Sequence, residues 1–266
     1  MPYKLLAADL DGTLMGDDAV ISPRVRAAIG RAIGKGVKVT LATGRAFRAT
    51  KCFAEELGTN APLICYQGGL IVDPLSGEVL YQAAVPLPTA REMVRFAQNR
   101  GLHLNIYLDD RTYVEEITPE AEFYAQISGV PVHPVGNLLA FLDGDPTKLV
   151  IISQEATIDR LFPELRERFA GRLQILRSYR TFVEGIPLGV FKGWALDRLA
   201  KHLGIAQGET MAIGDNENDA DMIAWAHLGV ALAGASPAVK AVSDYVAPSV
   251  EEDGAAEAIE RFILFD

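Results

Sequence analysis

Short apolar runs that alternate with helix-forming segments constrain the fold of this chain most. The N-terminal third has three such runs, at residues 5–8, 37–42 and 63–66, and helical patterns lie between them at 22–35 and 46–57. The first helical pattern opens with serine and then proline, which is typical of an N-cap followed by the first helical position. This alternation predicts a parallel sheet covered by helices on both faces.

The alternation is interrupted between Val85 and Pro187, where helical stretches and short strands are mixed. It resumes near Lys192 and continues to the end of the chain. We therefore predict an α/β fold with a Rossmann-like parallel-sheet core formed by residues 1–84 and 188–266. The segment 85–187 is predicted to form an inserted α+β domain.

Composition excludes several classes of partner. The chain has 266 residues and a formal net charge of -10, and an acidic surface disfavours nucleic acid and anionic membranes. Its two cysteines, Cys52 and Cys65, do not form a CxxC pair, which disfavours a thiolate metal site. We see no leader-like N-terminus and no apolar stretch of membrane-spanning length, so we expect a cytoplasmic protein without nucleic-acid or membrane partners.

Polar side chains follow the predicted core strands at the point where each strand ends. Asp9 and Asp11 follow the first strand, 43–45 the second, and the acidic stretch 214–219 a later one. The carboxyl ends of parallel strands meet at one edge of a sheet, so Asp9, Asp11 and Asp215 are expected to converge there. Clustered carboxylates repel one another unless a cation lies between them, and hard oxygen donors suit Mg²⁺.

The same strand ends carry groups that bind phosphate. The hydroxyl group of Thr43, the backbone N–H groups at helix starts and the ammonium group of Lys192 are natural receptors for a phosphate group. Together with the acidic residues, they indicate chemistry on a phosphorylated substrate.

Four segments in this order resemble the four motifs of the haloacid dehalogenase (HAD) superfamily: DLDGT at 9–13, ATGR at 42–45, GVFKG at 189–193 and GDNENDADM at 214–222. Stretches such as Leu203-Gly204-Ile205 and Asp244-Tyr245-Val246 are similar to its Cof-type phosphatase branch. The resemblance covers both core segments. Within the insert it rests on position and length, which are those of the larger cap domain of Cof-type enzymes.

The resemblance implies a role for each matching residue. Asp9 would be the nucleophile that forms an aspartyl-phosphate, and Asp11 would be the general acid and then the general base. Asp9, the backbone carbonyl of Asp11 and Asp215 would bind Mg²⁺, while Asp219 would support the site from behind these ligands. Contacts to the phosphate would come from the following residues: Leu10 through its backbone, Thr43, Gly44, Lys192 and Asn218.

The implied function is a Mg²⁺-dependent phosphatase that hydrolyses small phosphomonoesters, with sugar phosphates as the substrates expected by analogy. A phosphosugar mutase that uses the same nucleophile is an alternative. A non-catalytic sugar-phosphate sensor is a second one, although the intact Asp9 and Asp11 pair argues against it. Two loops depart from the pattern of many relatives: Gln67-Gly68-Gly69 replaces Asn-Gly-Ala, and Ala233-Gly234-Ala235 replaces Gly-Asn-Ala.

Overall fold

The computed structural model describes residues 3–16 and 18–265. Its strands are β1 Leu5–Ala8, β2 Lys38–Leu41, β3 Leu63–Cys65, β4 Leu70–Val72, β5 Val79–Gln82, β6 His103–Leu108, β7 Arg111–Val114, β8 Val132–Pro134, β9 Lys148–Ile152, β10 Leu173–Tyr179, β11 Phe182–Pro187, β12 Thr210–Gly214, β13 Leu228–Leu232 and β14 Tyr245–Ala247. Its α-helices are α1 Pro23–Gly34, α2 Phe47–Leu57, α3 Leu87–Gln98, α4 Pro119–Ser128, α5 Leu138–Phe141, α6 Glu155–Arg168, α7 Lys192–Leu203, α8 Ala220–Trp225, α9 Pro237–Val242 and α10 Gly254–Ile259.

The chain forms two compact units. The first consists of Met1–Gly44, Thr50–Tyr81 and Phe191–Asp266, and the second of Arg45–Ala49 and Gln82–Val190. The first unit contains Asp9, Asp11, Thr43 and the acidic stretch 214–219, and the second contains the whole of the predicted insert.

A five-stranded parallel sheet in the order β14-β13-β12-β1-β2 is the centre of the first unit. All four residues of β1 are buried, as expected for a parallel strand that is covered on both faces. The parallel core sheet predicted from the sequence is therefore confirmed. β1 lies between β2 and β12, so the residues that follow β1 and β12 meet at the same edge of the sheet.

The third predicted core strand joins this sheet only at its margin. β3 meets the end of β2 through one parallel bridge, Ala42 to Ile64, and then pairs with β4 in an antiparallel hairpin. The chain reverses at Tyr66 and Gln67, which both adopt left-handed backbone angles with φ of 52° and 61°. This reversal brings the loop after β3 back towards the end of β2.

In the first unit, capping residues fix where the helices begin and end, and apolar faces fix how the helices pack. Ser22 caps α1, as the sequence indicates, because its side chain accepts a hydrogen bond from the backbone N–H of Val25 at 3.1 Å. The helix α7 begins at Lys192 and ends before Gly204, which adopts a left-handed conformation. Its buried face, which includes Leu196 and Leu199, packs in the same apolar cluster as β1 and β12 residues.

The second unit is built on a six-stranded mixed sheet in the order β10-β11-β9-β6-β7-β8, which fits the predicted α+β insert. Alternate strand residues pack with α3 and α6 in one apolar cluster. Other residues of the same strands form a buried polar group, in which the Nζ atom of Lys148 contacts the Oε1 atom of Glu184 at 3.0 Å. Within the described residues, neither unit has a helix that is long and apolar enough to cross a membrane.

Candidate active site

Asp9 lies directly after β1, where its backbone N–H donates to the carbonyl oxygen of Ile213 at 3.0 Å. Its side chain is buried, with a relative exposure of 5%. The carbonyl oxygen of Leu10 then accepts hydrogen bonds from three successive N–H groups, at residues 13 to 15, so the chain turns sharply. Asp11 lies on the exposed side of this turn.

Gly12 lets this turn pass close to a second acidic loop. Its φ is +84°, and a Cβ atom at this position would lie 2.4 Å from the Oδ2 atom of Asp215. The next residue, Thr13, donates from its hydroxyl group to the Oδ1 atom of Asp215 at 2.6 Å. The turn after β1 and the loop after β12 are therefore held together by direct side-chain contact.

Asp219 organises the loop after β12. Its Oδ2 atom accepts hydrogen bonds from the backbone N–H groups of Asp215 at 3.1 Å and Asn216 at 3.0 Å. Gly214 allows this close packing, because a Cβ atom there would lie 2.6 Å from the Cβ atom of Asp219. Asp219 is fully buried, so the loop closes around its carboxylate.

Lys192 joins Asp219 to Asp9. Its Nζ atom lies 2.6 Å from the Oδ1 atom of Asp219 and 2.7 Å from the Oδ1 atom of Asp9. All three side chains are buried. Because buried charges are strongly unfavourable without partners, this ammonium group compensates part of the negative charge of the cluster.

Carboxylate oxygens of Asp9, Asp215 and Asp219 lie within 4.8 Å of one another. This is close enough for one ion to contact more than one of them, and carboxylate oxygens are the donors that hard divalent cations prefer. Both oxygens of Asp219 already accept hydrogen bonds, so Asp9 and Asp215 are the better direct ligands. The donor set thus fits a divalent cation, with Asp219 holding Lys192 and the loop in place.

Burial and mutual repulsion change the protonation of these groups. Burial, and then the charge of Asp219, raise the pKa of Asp9 well above its ordinary value, although Lys192 opposes the rise. Burial and Asp219 also raise the pKa of Asp215, to about 6, against the hydrogen bond from Thr13. Burial would lower the pKa of Lys192, but the charges of Asp219 and Asp9 outweigh it and raise that pKa above the ordinary lysine value.

Three of the predicted phosphate contacts are linked through the loop after β3. The backbone N–H of Gln67 donates to the carbonyl oxygen of Thr43 at 3.0 Å, and the Oε1 atom of Gln67 accepts from the Nδ2 atom of Asn218 at 2.8 Å. The Nε2 atom of Gln67 would lie 2.4 Å from a Cβ atom at Gly44. Thr43 therefore contacts the backbone of Gln67, while Gly44 and Asn218 contact its side chain.

Thr13 and Gln67 are the residues at this site to which the sequence analysis assigned no role. Thr13 belongs to the DLDGT motif, so its proximity to the two acids was a usable signal. Gln67 follows an apolar run and precedes two glycines, which is typical of a tight loop at a strand end. Nothing in its local sequence indicates its contact with Asn218, because that contact spans 151 residues.

Comparison with known proteins gives the family. The family of haloacid dehalogenase-like hydrolases matches residues 6–259. A 5-amino-6-(5-phospho-D-ribitylamino)uracil phosphatase of Bacillus subtilis is 31% identical, over 98% of this chain and 96% of its own length. A crystal structure of a haloacid dehalogenase-like hydrolase from Bacteroides thetaiotaomicron is 30% identical, with a TM-score of 0.91, and covers 99% of this chain and 100% of that one.

The sugar phosphatase BT4131, a member of HAD subclass IIB, is 25% identical, with a TM-score of 0.85 over 99% of this chain and 100% of its own. The match to the family extends over almost the whole chain, so this chain belongs to the haloacid dehalogenase-like hydrolases. Within the family it is a phosphatase, a phosphoric monoester hydrolase, as the resemblance of its motifs implied.

Proposed function

We propose that this protein hydrolyses small phosphomonoesters, with sugar phosphates as the main substrate class, through an aspartyl-phosphate on Asp9. The observation that carries the proposal is the buried arrangement in which Lys192 contacts both Asp9 and Asp219 while Asp215 lies within 4.8 Å of the two acids. A carboxylate nucleophile splits the hydrolysis into two easier steps.

In the first step, an oxygen of Asp9 attacks phosphorus as the bond from phosphorus to the leaving oxygen breaks. Asp11 donates a proton to that oxygen, so the product leaves as an alcohol. In the second step, Asp11 takes a proton from water, the water oxygen attacks phosphorus, and the carboxylate of Asp9 is released together with inorganic phosphate. The exposed position of Asp11 on the turn after β1 supports its role towards the leaving group.

Lys192 and the loops around it would receive the phosphoryl group. The ammonium group of Lys192 neutralises charge on the transferring oxygens. Further donors come from Thr43, Gly44, Asn218 and the backbone of Leu10. Lys192 is held at the start of α7 by two carboxylates, so its position is fixed before substrate arrives. Preorganised charge of this kind needs little rearrangement during the reaction.

Mg²⁺ is the proposed cofactor, held by Asp9, Asp215 and the backbone carbonyl of Asp11. When bound, such an ion adds positive charge at the transferring oxygens. It also favours the ionised form of Asp9, which burial and Asp219 disfavour. Asp219 supports the site by fixing Lys192 and the backbone of the acidic loop.

The substrate class is inferred from the relatives. The sugar phosphatase BT4131 and the ribitylaminouracil phosphatase both act on small phosphorylated compounds, as their names state. A phosphorylated metabolite is therefore the proposed partner of the site, and sugar phosphates are favoured by the similarity to subclass IIB.

The test is release of inorganic phosphate from p-nitrophenyl phosphate and from a panel of sugar phosphates, with Mg²⁺ and with EDTA. Asp9→Asn should lower the rate on the order of a thousandfold or more, because the nucleophile is lost. Asp197→Asn is the matched control, since Asp197 pairs with Lys201 on the surface at 2.6 Å and should retain the wild-type rate. Equal rates for Asp9→Asn and wild type would contradict the proposal.

Phosphate release combined with analysis of the sugar products separates the alternatives. A phosphosugar mutase would form a bisphosphorylated sugar and release no phosphate, whereas a sensor would bind sugar phosphate and turn over none. Either result would replace hydrolysis as the assigned function.

A further inference from the structure

The loop formed by residues 66–69 contacts three separate parts of the proposed phosphate site. The backbone N–H of Gln67 donates to Thr43, and its side chain accepts from Asn218. Gly68, with φ of +99°, lies so close to the start of α7 that a Cβ atom would be 2.5 Å from the carbonyl oxygen of Phe191. The loop therefore touches the elements that carry Thr43, Asn218 and Lys192.

Gln67 is held in an unfavourable state within this loop. Its φ of 61° is left-handed, which is uncommon for a residue other than glycine and is a form of strain found at ligand sites. The side chain has a relative exposure of only 2%. Within the described residues, its Nε2 atom has no hydrogen-bond partner, and neither has the Oδ1 atom of Asn218. A buried amide donor without a partner costs free energy.

The position of the Nε2 atom indicates what it could bind. It packs against Gly44 so closely that a Cβ atom there would lie 2.4 Å away, and its amide group is joined to Asn218 through the Oε1 atom at 2.8 Å. Gly44 and Asn218 are both proposed phosphate contacts. An N–H donor between them suits an anionic oxygen better than a neutral one, because hydrogen bonds to ionised acceptors are the stronger ones.

We propose that Gln67 binds the phosphoryl group directly, by donating a hydrogen bond from its Nε2 atom to a phosphoryl oxygen. Its Oε1 atom at the same time orients the amide group of Asn218 towards that ligand. This inference rests on the proposed phosphatase function and adds a phosphate contact that the four motifs do not contain. It also explains why residue 44 is a glycine, since a larger residue would displace the amide.

Two substitutions test the donor. Gln67→Glu keeps the shape and the acceptor for Asn218 but loses the donor, and Gln67→Met loses both without adding charge. We expect each to raise the dissociation constant for inorganic phosphate, measured by calorimetry with saturating Mg²⁺, by about tenfold to a hundredfold. The value for Mg²⁺ alone should stay within about twofold of wild type, because neither variant removes a proposed ligand of the ion.

Gln207→Glu is the matched control for these two variants. The Nε2 atom of Gln207 donates to the carbonyl oxygen of Trp225 at 2.6 Å, so the same chemical change removes a hydrogen bond outside the acidic cluster. It should leave the dissociation constant for phosphate unchanged. A phosphate affinity within about twofold of wild type in Gln67→Met, or a parallel loss of Mg²⁺ and phosphate affinity, would overturn the inference.

Gly44→Ala tests the same contact without changing Gln67, and a double-mutant cycle then shows whether its effect acts through the amide of Gln67. Gly44→Ala should weaken phosphate binding about tenfold in the wild-type background, because its Cβ atom displaces the amide of Gln67. In a Gln67→Ala background the same change should cost less than about threefold, because that amide is absent. Equal costs in the two backgrounds would overturn the inference.

Wild-type behaviour distinguishes this failure from failure of the proposed function. If wild type hydrolyses phosphomonoesters and the variants bind phosphate normally, only the role of Gln67 is wrong. If wild type neither binds phosphate nor releases it from any substrate, both proposals are wrong.

Discussion

Replacing Asp215 by asparagine should make the metal-free protein more stable at neutral pH. In the folded protein the pKa of Asp215 is raised to about 6 from an ordinary value of 3.8, by burial and then by the charge of Asp219. A carboxyl group whose pKa is raised on folding stabilises the fold below its unfolded pKa, and this contribution is lost as pH rises through the folded pKa. Above about pH 6 the ionised side chain therefore opposes folding.

The size of the effect follows from the shift. One pKa unit corresponds to about 1.36 kcal/mol, so the shift of Asp215 corresponds to about 3 kcal/mol. Lys192 and Thr13 would readjust once this charge is removed, so we expect Asp215→Asn to gain about 1–3 kcal/mol. For a chain of this length that is about 2–12 °C in Tm. Asparagine can still accept the hydrogen bond that Thr13 donates to the Oδ1 atom.

The assay is thermal unfolding of wild type and Asp215→Asn in EDTA, at about pH 7.5 and about pH 4.5, and then with Mg²⁺. The variant should be the more stable at the higher pH, and the difference should largely vanish at the lower pH because the wild-type carboxyl group is then protonated. Mg²⁺ should reverse the order. At a thousandfold excess over its dissociation constant, a ligand adds about 4.1 kcal/mol to wild type, and the variant should gain much less.

Asp197→Asn is again the control, because its carboxylate lies in an exposed pair with Lys201. It should change Tm little at either pH and should retain the Mg²⁺ effect. The reasoning is refuted if Asp215→Asn is less stable than wild type in EDTA at the higher pH. It is also refuted if the stability difference between them is independent of pH.

Three further results are expected. The apparent affinity for Mg²⁺, measured by calorimetry, should fall up to about tenfold per pH unit below about pH 6, because Asp215 must lose its proton to bind an ion. A constant affinity from about pH 7.5 to about pH 5 would contradict this. Lys192→Met should lower the free energy of unfolding, measured in urea, by about 3–5 kcal/mol, because Asp9 and Asp219 lose their buried cation. The control Lys201→Met on the surface should cost under about 1 kcal/mol, and equal costs for the two variants would contradict this prediction. Gly12→Ala should abolish the Mg²⁺-dependent rise in Tm, because its Cβ atom would lie 2.4 Å from Asp215, whereas Gly234→Ala, which meets nothing within 4 Å, should keep the rise.

Much of the core fold could be predicted from local sequence because its signals are local. Ser22 and Pro23 mark the start of α1 within one residue, and the apolar run before Asp9 is the fully buried strand β1. The positions of Asp9 and Asp215 after strands of one parallel sheet were sufficient to predict that their side chains meet. Oxygens of the two residues do lie within 4.8 Å of each other.

Other features depend on contacts between distant parts of the chain. The strand at 63–65 has the composition of a core strand, but it leaves the parallel sheet after one bridge because the backbone reverses at Tyr66 and Gln67. The strand order of the inserted unit also depends on pairings between distant segments, such as β6 with β9. Local apolar patterns show that such strands exist but do not specify their partners.

The sequence by itself determined the class of this protein, because the motifs that carry its chemistry are short and lie at the ends of predictable strands. Only the tertiary structure decided which of these side chains contact one another. Lys192 lies between Asp9 and Asp219, and the amide of Gln67 lies between Gly44 and Asn218. These contacts join residues that are far apart in the chain. They form only when packing of the apolar core brings the strand ends and loops together, so no local pattern of residues encodes them.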